Sequence, residues 1–170
     1  MRIVSLHPLA TDMLDYCGVG WDLVGLTHVC EKPKNATKAK ALTVGSQRKF
    51  KYLNKDFARL AEGLCEYPLD VEQLKACLPH LILADISAPE TNKFIEWSQQ
   101  LLLTQTRVPV EIRHLRTDTL DEVYQTIREL GDLLGKKTLA SKLVEEIQTH
   151  LDSWAQKYRH LCRGKKVILL

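Results

Sequence analysis

The sequence predicts an α/β protein: a parallel sheet of about four strands with flanking helices, followed by one long helix. Three observations predict it. Short apolar runs without clear alternation recur at Arg2–Leu6, Asp22–Leu26, His80–Ala84 and Val108–Arg113, as expected of strands covered on both faces. Segments with helical periodicity lie between them, an order that favours a parallel sheet with right-handed crossovers. Finally, Thr138 to Leu161 contains no Gly or Pro. It carries apolar positions from Leu139 through Val144, Ile147 and Trp154 to Tyr158, one stripe along a single helix on the order of 35 Å long.

The elements follow in order. Ala10 to Cys17 is expected to be helical, with Gly18 ending it. Asn54 or Lys55 to Gly63 forms the next helix, with Gly63 as its stop. Asp70 is placed to cap Asp70–Leu78, and Pro79 closes it. Glu90 or Thr91 to Leu103 carries Phe94, Ile95 and Trp97. Thr119 caps Leu120–Leu134, where Leu120, Val123, Ile127, Leu130 and Leu134 share one face and Gly135 ends the helix. Trp97, Trp154 and Tyr158 sit at helical spacing among other apolar residues and are expected in the core.

Arg163–Gly164 breaks the long helix, and Lys166–Leu170 reads as a further strand. A parallel strand entered from a long helix normally feeds another unit. The expected organisation is therefore an α/β lobe over 1–136, a spine helix over 137–163, and over 164–170 the first strand of a second lobe that the chain lacks.

Among the 170 residues, 45% are apolar and 26% charged, with a net charge of +3. That balance suits a soluble globular domain and does not suggest nucleic acid as a partner. The five cysteines, Cys17, Cys30, Cys65, Cys77 and Cys162, are widely spaced and odd in number, which favours reduced thiols over a disulfide framework. No apolar run approaches the ~20 residues of a bilayer-spanning helix. With no signal peptide before the first strand, the expected compartment is the cytoplasm, or the periplasm or cell surface if the start has been cropped. Motifs for a nucleophile elbow, a phosphate loop or a dinucleotide fold are missing, so the chain is not expected to be an enzyme.

Polar loops follow the first two strands, Ser5–His7 and Thr27–Lys32. In a parallel sheet they lie side by side at the carboxyl edge, where such folds bind ligands. The residues of these loops also carry a resemblance. Arg2-Ile-Val-Ser-Leu-His-Pro-Leu-Ala-Thr-Asp-Met-Leu14 resembles the RIVSL-x-P-x-x-TE-x-L opening of substrate-binding proteins of cobalamin and iron-siderophore ABC importers. Gly18 to Thr27 is similar to the LG-x-x-D-x-LVGVT continuation, and Thr27-His-Val-Cys-Glu-Lys-Pro33 to the TH-x-CD-x-P loop of the cobalamin-binding-like branch. Leu74 to Leu83 is similar to L-x-x-L-x-PDLIL, and Thr119-Leu-Asp-Glu-Val123 to TL-x-x-V. The chain departs from the pattern at His7, at Glu31 for the aspartate of the loop, and at His80 for the aspartate of PDLI. It also has no cysteine in Ala84–Glu90, and Asp85 stands near the place of a cleft-lining aromatic.

The resemblance implies a class III, helical-backbone binding protein: two α/β lobes bridged by one rigid helix, with the ligand held between them. It implies as ligand cobalamin or another corrinoid, haem or iron-siderophore chelate, and as partner an ABC permease. In that family a carboxylate at the position of Glu90 docks on an arginine pocket of the permease; the same charge also suits a helix N-terminus.

Candidate ligand-binding residues are His7, His28, Cys30, Glu31, Arg48, Tyr67 and Asp85. His7 ends the first strand and is open to contacting ligand, coordinating a metal through its imidazole, or bonding backbone. His28, Cys30 and Glu31 suit a ligand-lining loop, a plain turn, or, with His7, a metal site. Arg48 suits a carboxylate or propionamide edge, or a solvated loop. Tyr67 suits stacking on a flat ligand, or the core. The expected function is the ligand-binding component of an importer for cobalamin or a similar chelate. The alternatives are a metal-ion receptor of the same superfamily and a stand-alone interaction module.

Overall fold

The computed structural model describes residues 1–45, 50–86, 88 and 90–162. Arg48 and the strand expected over 166–170 lie outside the described residues. Five parallel strands form one sheet: β1 (Ile3–Ser5), β2 (Leu23–Leu26), β3 (Lys40–Ala41), β4 (Leu81–Ala84) and β5 (Glu111–His114), in the order β3-β2-β1-β4-β5. Four of them answer to the apolar runs of the sequence. The three inner strands are buried at every position, which is why those runs do not alternate. β3 has no such signature. It is a two-residue edge strand with both residues exposed, held because Gly25 and Leu26 pair with Lys40 and Ala41.

β5 starts later than the apolar run suggests. Thr106 and Val108 close a local turn (Val108 N–H to Thr106 Oγ1, 3.2 Å). Arg107 stands in the left-handed region at φ 59°, capping the preceding helix by donating to Leu103 O at 2.8 Å. That helix, α4 (Thr91–Thr106), therefore extends one turn past Leu103.

The other helices of the sheet region have local causes. α1 (Pro8–Tyr16) begins with Pro at its first position, where a missing N–H costs nothing, and Gly18 (φ +70°) carries the chain away from its end. Asn54 accepts from Phe57 N–H at 2.9 Å to start α2 (Lys55–Leu64), and Asp70 accepts from Gln73 N–H at 2.9 Å to start α3 (Val71–Ala76). α5 (Leu120–Leu133) begins with a reciprocal capping box: Thr119 N–H donates to Glu122 Oε2 at 3.1 Å, and Glu122 N–H to Thr119 Oγ1 at 3.3 Å.

Gly63 does not stop α2. It lies inside the helix, and a Cβ there would collide with the ring of Phe94. Its role is to admit that ring, which belongs to a core where α2, α3 and α4 meet Val4, Val24, Ile82 and Ile112 of the sheet. Trp97 packs on this core half-buried, beneath the guanidinium of Arg59, 4.4 Å from the ring centroid.

The chain divides into two compact units, Met1–Thr126 and Ile127–Leu170. The first contains the whole sheet. In the second, Lys136 N–H donates to Gly131 O (2.6 Å) in the turn that leads to α6 (Lys137–Cys162), a single helix of 26 residues. It buries Ala140 and Val144 near its start. Farther along, Trp154 is 60% and Tyr158 45% exposed, against the expectation that both are core residues. Helical spacing marks a face; it does not say that the face is covered. Among the described residues no helix is long and apolar enough to cross a membrane.

Candidate functional site

The strand order locates a switch point. From β1 the chain moves outward to β2 and β3, then returns to place β4 and β5 on the other side of β1. The carboxyl ends of β1 and β4 therefore diverge, and such a crevice is where open parallel sheets bind ligands. His7 follows β1 and Asp85 follows β4. Both line a cleft of about 440 Å³, together with Leu6, Pro8, Val29, Cys65, Glu66 and Tyr67.

Hydrogen bonds fix each wall. Thr11 Oγ1 donates to the buried Ser5 Oγ (2.9 Å), and Ser5 Oγ donates to His7 O (3.0 Å), so two hydroxyls tie the end of β1 to the first turn of α1. His7 itself takes the extended conformation before Pro8 (φ −140°, ψ 134°). On the β4 side, Leu115 N–H donates to Ala84 O (2.8 Å) and Ile86 N–H to His114 Nδ1 (3.1 Å), which hold Asp85 between two anchored neighbours. Tyr67 lies between α2 and α3, where Val44 N–H donates to Pro68 O (3.3 Å) and Asp70 N–H to Leu42 O (2.8 Å).

His28 supports Tyr67. Its backbone N–H donates to Thr43 Oγ1 (2.9 Å), its Nδ1 lies 2.8 Å from the same oxygen, and its ring meets Tyr67 edge-on. Cys30 is buried with its Sγ 2.9 Å from Thr27 Oγ1, closing the turn after β2. Glu31 is exposed and borders a separate hollow of about 300 Å³ with Asp12, Asp15, Lys32, Pro33 and Lys34. Thus His7, Tyr67 and Asp85 come together in the cleft, and His28 stands behind Tyr67. Cys30 and Glu31 are not among the described residues that line the cleft. Among the described residues, no group of three or more His, Cys, Asp or Glu side chains is arranged to hold a metal ion. Glu90 is at the start of α4 in the left-handed conformation (φ 54°), exposed and paired with Lys93 at 2.7 Å.

Cys65, Glu66 and Val29 are cleft residues that sequence reasoning passed over. Only their neighbours signalled them: Cys65 and Glu66 directly precede Tyr67, and Val29 sits inside the His28–Cys30 turn.

Among the described residues, the charge of the cleft lining is one-sided. Asp85 and Glu66 are the carboxylates of its lining, and the described lining has no Lys or Arg. Burial lowers the pKa of His7, opposed by the charges of Asp85 and Asp12. Burial also pushes the Cys65 thiol up, which keeps it protonated and unreactive at neutral pH. The arrangement therefore offers an aromatic ring, a neutral imidazole and two carboxyl groups, which suits reversible binding.

No protein-family model matches the sequence, and no curated protein is significantly similar to it. Solved structures do match. A possible iron-binding, periplasmic solute-binding protein from Staphylococcus epidermidis shares 26% identity at a TM-score of 0.59, over 92% of this chain and 50% of that one. A periplasmic heme-binding protein from Pseudomonas aeruginosa superposes at a TM-score of 0.62 with 17% identity, over 98% and 50% of the two chains. The periplasmic vitamin B12 binding protein BtuF of Vibrio cholerae gives 0.58 with 19% identity, over 93% and 51%. The fold is that of the class III periplasmic binding proteins. The chain spans about half the length of these structures, the extent of a single lobe. These neighbours are binding proteins rather than enzymes.

Proposed function

We propose that this chain is a ligand-binding lobe of an ABC-importer substrate-binding protein, and that it takes a flat metal-chelate cofactor of the corrinoid or haem kind. The observation that carries the reading is the placement of His7 and Asp85 on either side of the sheet's switch point, with Tyr67 lining the same cleft. A planar macrocycle offers an apolar face to an aromatic ring and polar groups at its edge, the two kinds of surface this cleft presents. The chelate and B12 binders among the structural neighbours support the ligand class.

The same reading assigns residues 1–136 to the lobe and 137–163 to a spine helix that leads to a second lobe. The exposed carboxylate of Glu90 is then a contact for a permease arginine. The solved neighbours named as periplasmic support an extracytoplasmic site of action rather than the cytoplasm. Titrating the protein with cyanocobalamin and with haemin, and following the absorbance of each chelate, tests the reading. Saturable spectral change with at least one of them is expected. Linear, non-saturating behaviour with both overturns it.

A further inference from the structure

The hydrogen bond at the end of β5 fixes a tautomer. Ile86 N–H donates to His114 Nδ1 at 3.1 Å, so that nitrogen carries its lone pair and the neutral ring holds its hydrogen on Nε2. The bond ties the buried Ile86 to the last residue of β5. The same Nδ1 lies 3.9 Å from Asp85 Oδ1. It therefore has two neighbours of opposite kind, a donor that it accepts from and, just beyond hydrogen-bond reach, a carboxylate that lines the cleft.

Each charge state of the ring suits one of them. The neutral ring offers Ile86 its lone pair and gives Asp85 nothing at Nδ1. The doubly protonated ring carries a hydrogen on both nitrogens. Its Nδ1 no longer accepts from Ile86 and meets Asp85 as a donor, in a charge-assisted pair. Closing 3.9 Å to a normal bond takes about 1 Å of movement, within reach of a rotamer change of the exposed aspartate. The other charged groups around β5 have partners of their own. Side chains alternate along the strand, so His114 shares the face of Ile112, on which α4 packs. Glu111 and Arg113 take the opposite face and pair with each other. At the start of α4, Glu90 pairs with Lys93 at 2.7 Å. At the start of α5, Glu122 is held in the capping box with Thr119. Across the cleft, His7 feels the charge of Asp85.

We propose that His114 is a positioning residue for the cleft that acts through Asp85, an inference that rests on the receptor reading above. Neutral, it anchors the loop after β4 through Ile86 and leaves the Asp85 carboxylate to the ligand. On taking a second proton from solvent, it releases Ile86 and takes Asp85 as its own partner. The cleft then loses an acceptor, and the receptor holds its ligand less tightly in acid.

Nitrogen-15 NMR of histidine-labelled protein tests the exchange of partners without a ligand, the His114 signals being assigned by their loss in His114→Asn. The Nε2–H tautomer is expected at neutral pH; Nδ1–H overturns the proposal. Asp85→Asn should shift the His114 titration to lower pH, because it removes the charge that steadies the protonated ring; an unmoved titration also overturns it. The effect on binding is read from titrations with cyanocobalamin and haemin between about pH 7.5 and about pH 5.5, each variant being checked for folding by circular dichroism. Wild type should bind several-fold more weakly at the acid end. His114→Asn keeps an acceptor for Ile86 N–H but takes up no proton, so it should match wild type at neutral pH and give a flatter profile. His7 contributes equally to both proteins, and their difference isolates His114. His80→Asn is the control, since His80 Nδ1 accepts from Arg2 N–H at 3.1 Å at the other end of β4; its profile should follow wild type. A His114→Asn profile as steep as wild type, or equal flattening in His80→Asn, overturns the proposal and leaves the receptor reading intact. If neither chelate binds wild type, the receptor reading falls, and the NMR titration alone decides the exchange of partners.

Discussion

The ring of His28 meets that of Tyr67 edge to face, with centroids 4.9 Å apart and an interplanar angle of 82°. Thr43 holds the histidine from behind, so the orientation of an aromatic wall in the cleft depends on a residue outside it. Such a pair contributes about 0.5–1.5 kcal/mol beyond its buried area. His28→Ala should lower stability by about 1 kcal/mol in urea unfolding and, by releasing the Tyr67 ring, weaken chelate binding several-fold. Unchanged affinity would mean that Tyr67 is positioned by its backbone alone.

Gly63→Ala should destabilise the protein. Alanine gains about 0.5–1 kcal/mol over glycine within a helix, but here its methyl group would enter the space of the Phe94 ring. Overpacking of a core costs about 1–3 kcal/mol, so the clash wins. A denaturant midpoint shifted downward is expected; an upward shift would show that the ring swings aside freely.

His7 should make stability depend on pH. Its folded pKa lies below the ordinary histidine value of 6.5, chiefly through burial, with Asp85 and Asp12 acting in the opposite sense. As pH falls through 6.5 the unfolded chain takes up the proton first, so it binds more protons than the folded one and stability drops. The contribution is complete above pH 6.5 and is lost as pH falls towards the folded pKa. His7→Gln should flatten the slope of unfolding free energy in that acid range, and an unchanged slope would contradict the burial of His7.

Trp154 lies along α6 with 60% of its surface exposed. In this chain Trp154→Ala should therefore change stability by no more than about 0.5 kcal/mol, the range of surface substitutions. A loss of about 3–5 kcal/mol, as for a core aromatic, would show that the residue is covered in solution.

These contrasts show which features are legible in a single sequence. The strands around Ile3, Leu23 and Leu81 are legible because burial on both faces leaves unbroken apolar runs. The long helix is legible because nothing from Lys137 to Cys162 interrupts it. β3 is not, since Lys40 and Ala41 owe their extended conformation to Gly25 and Leu26 across the ladder, a tertiary cause. Gly63 looks like a helix stop until Phe94, distant in sequence, is seen to need its space. In the cleft, His7 and Asp85 can be read from strand ends. The separation of Cys30 and Glu31 from them cannot, because sequence proximity to His28 says nothing of which way a turn directs each side chain.

The most direct test of the account is calorimetric titration of cyanocobalamin into wild type and Tyr67→Ala. Tyr67 lines the cleft without contributing a charge, and loss of a stacking aromatic costs a ligand about 1 kcal/mol or more. The account predicts saturable binding to wild type that weakens at least several-fold in Tyr67→Ala, with both proteins equally folded. Equal affinity for the two proteins would place the ligand elsewhere and contradict it.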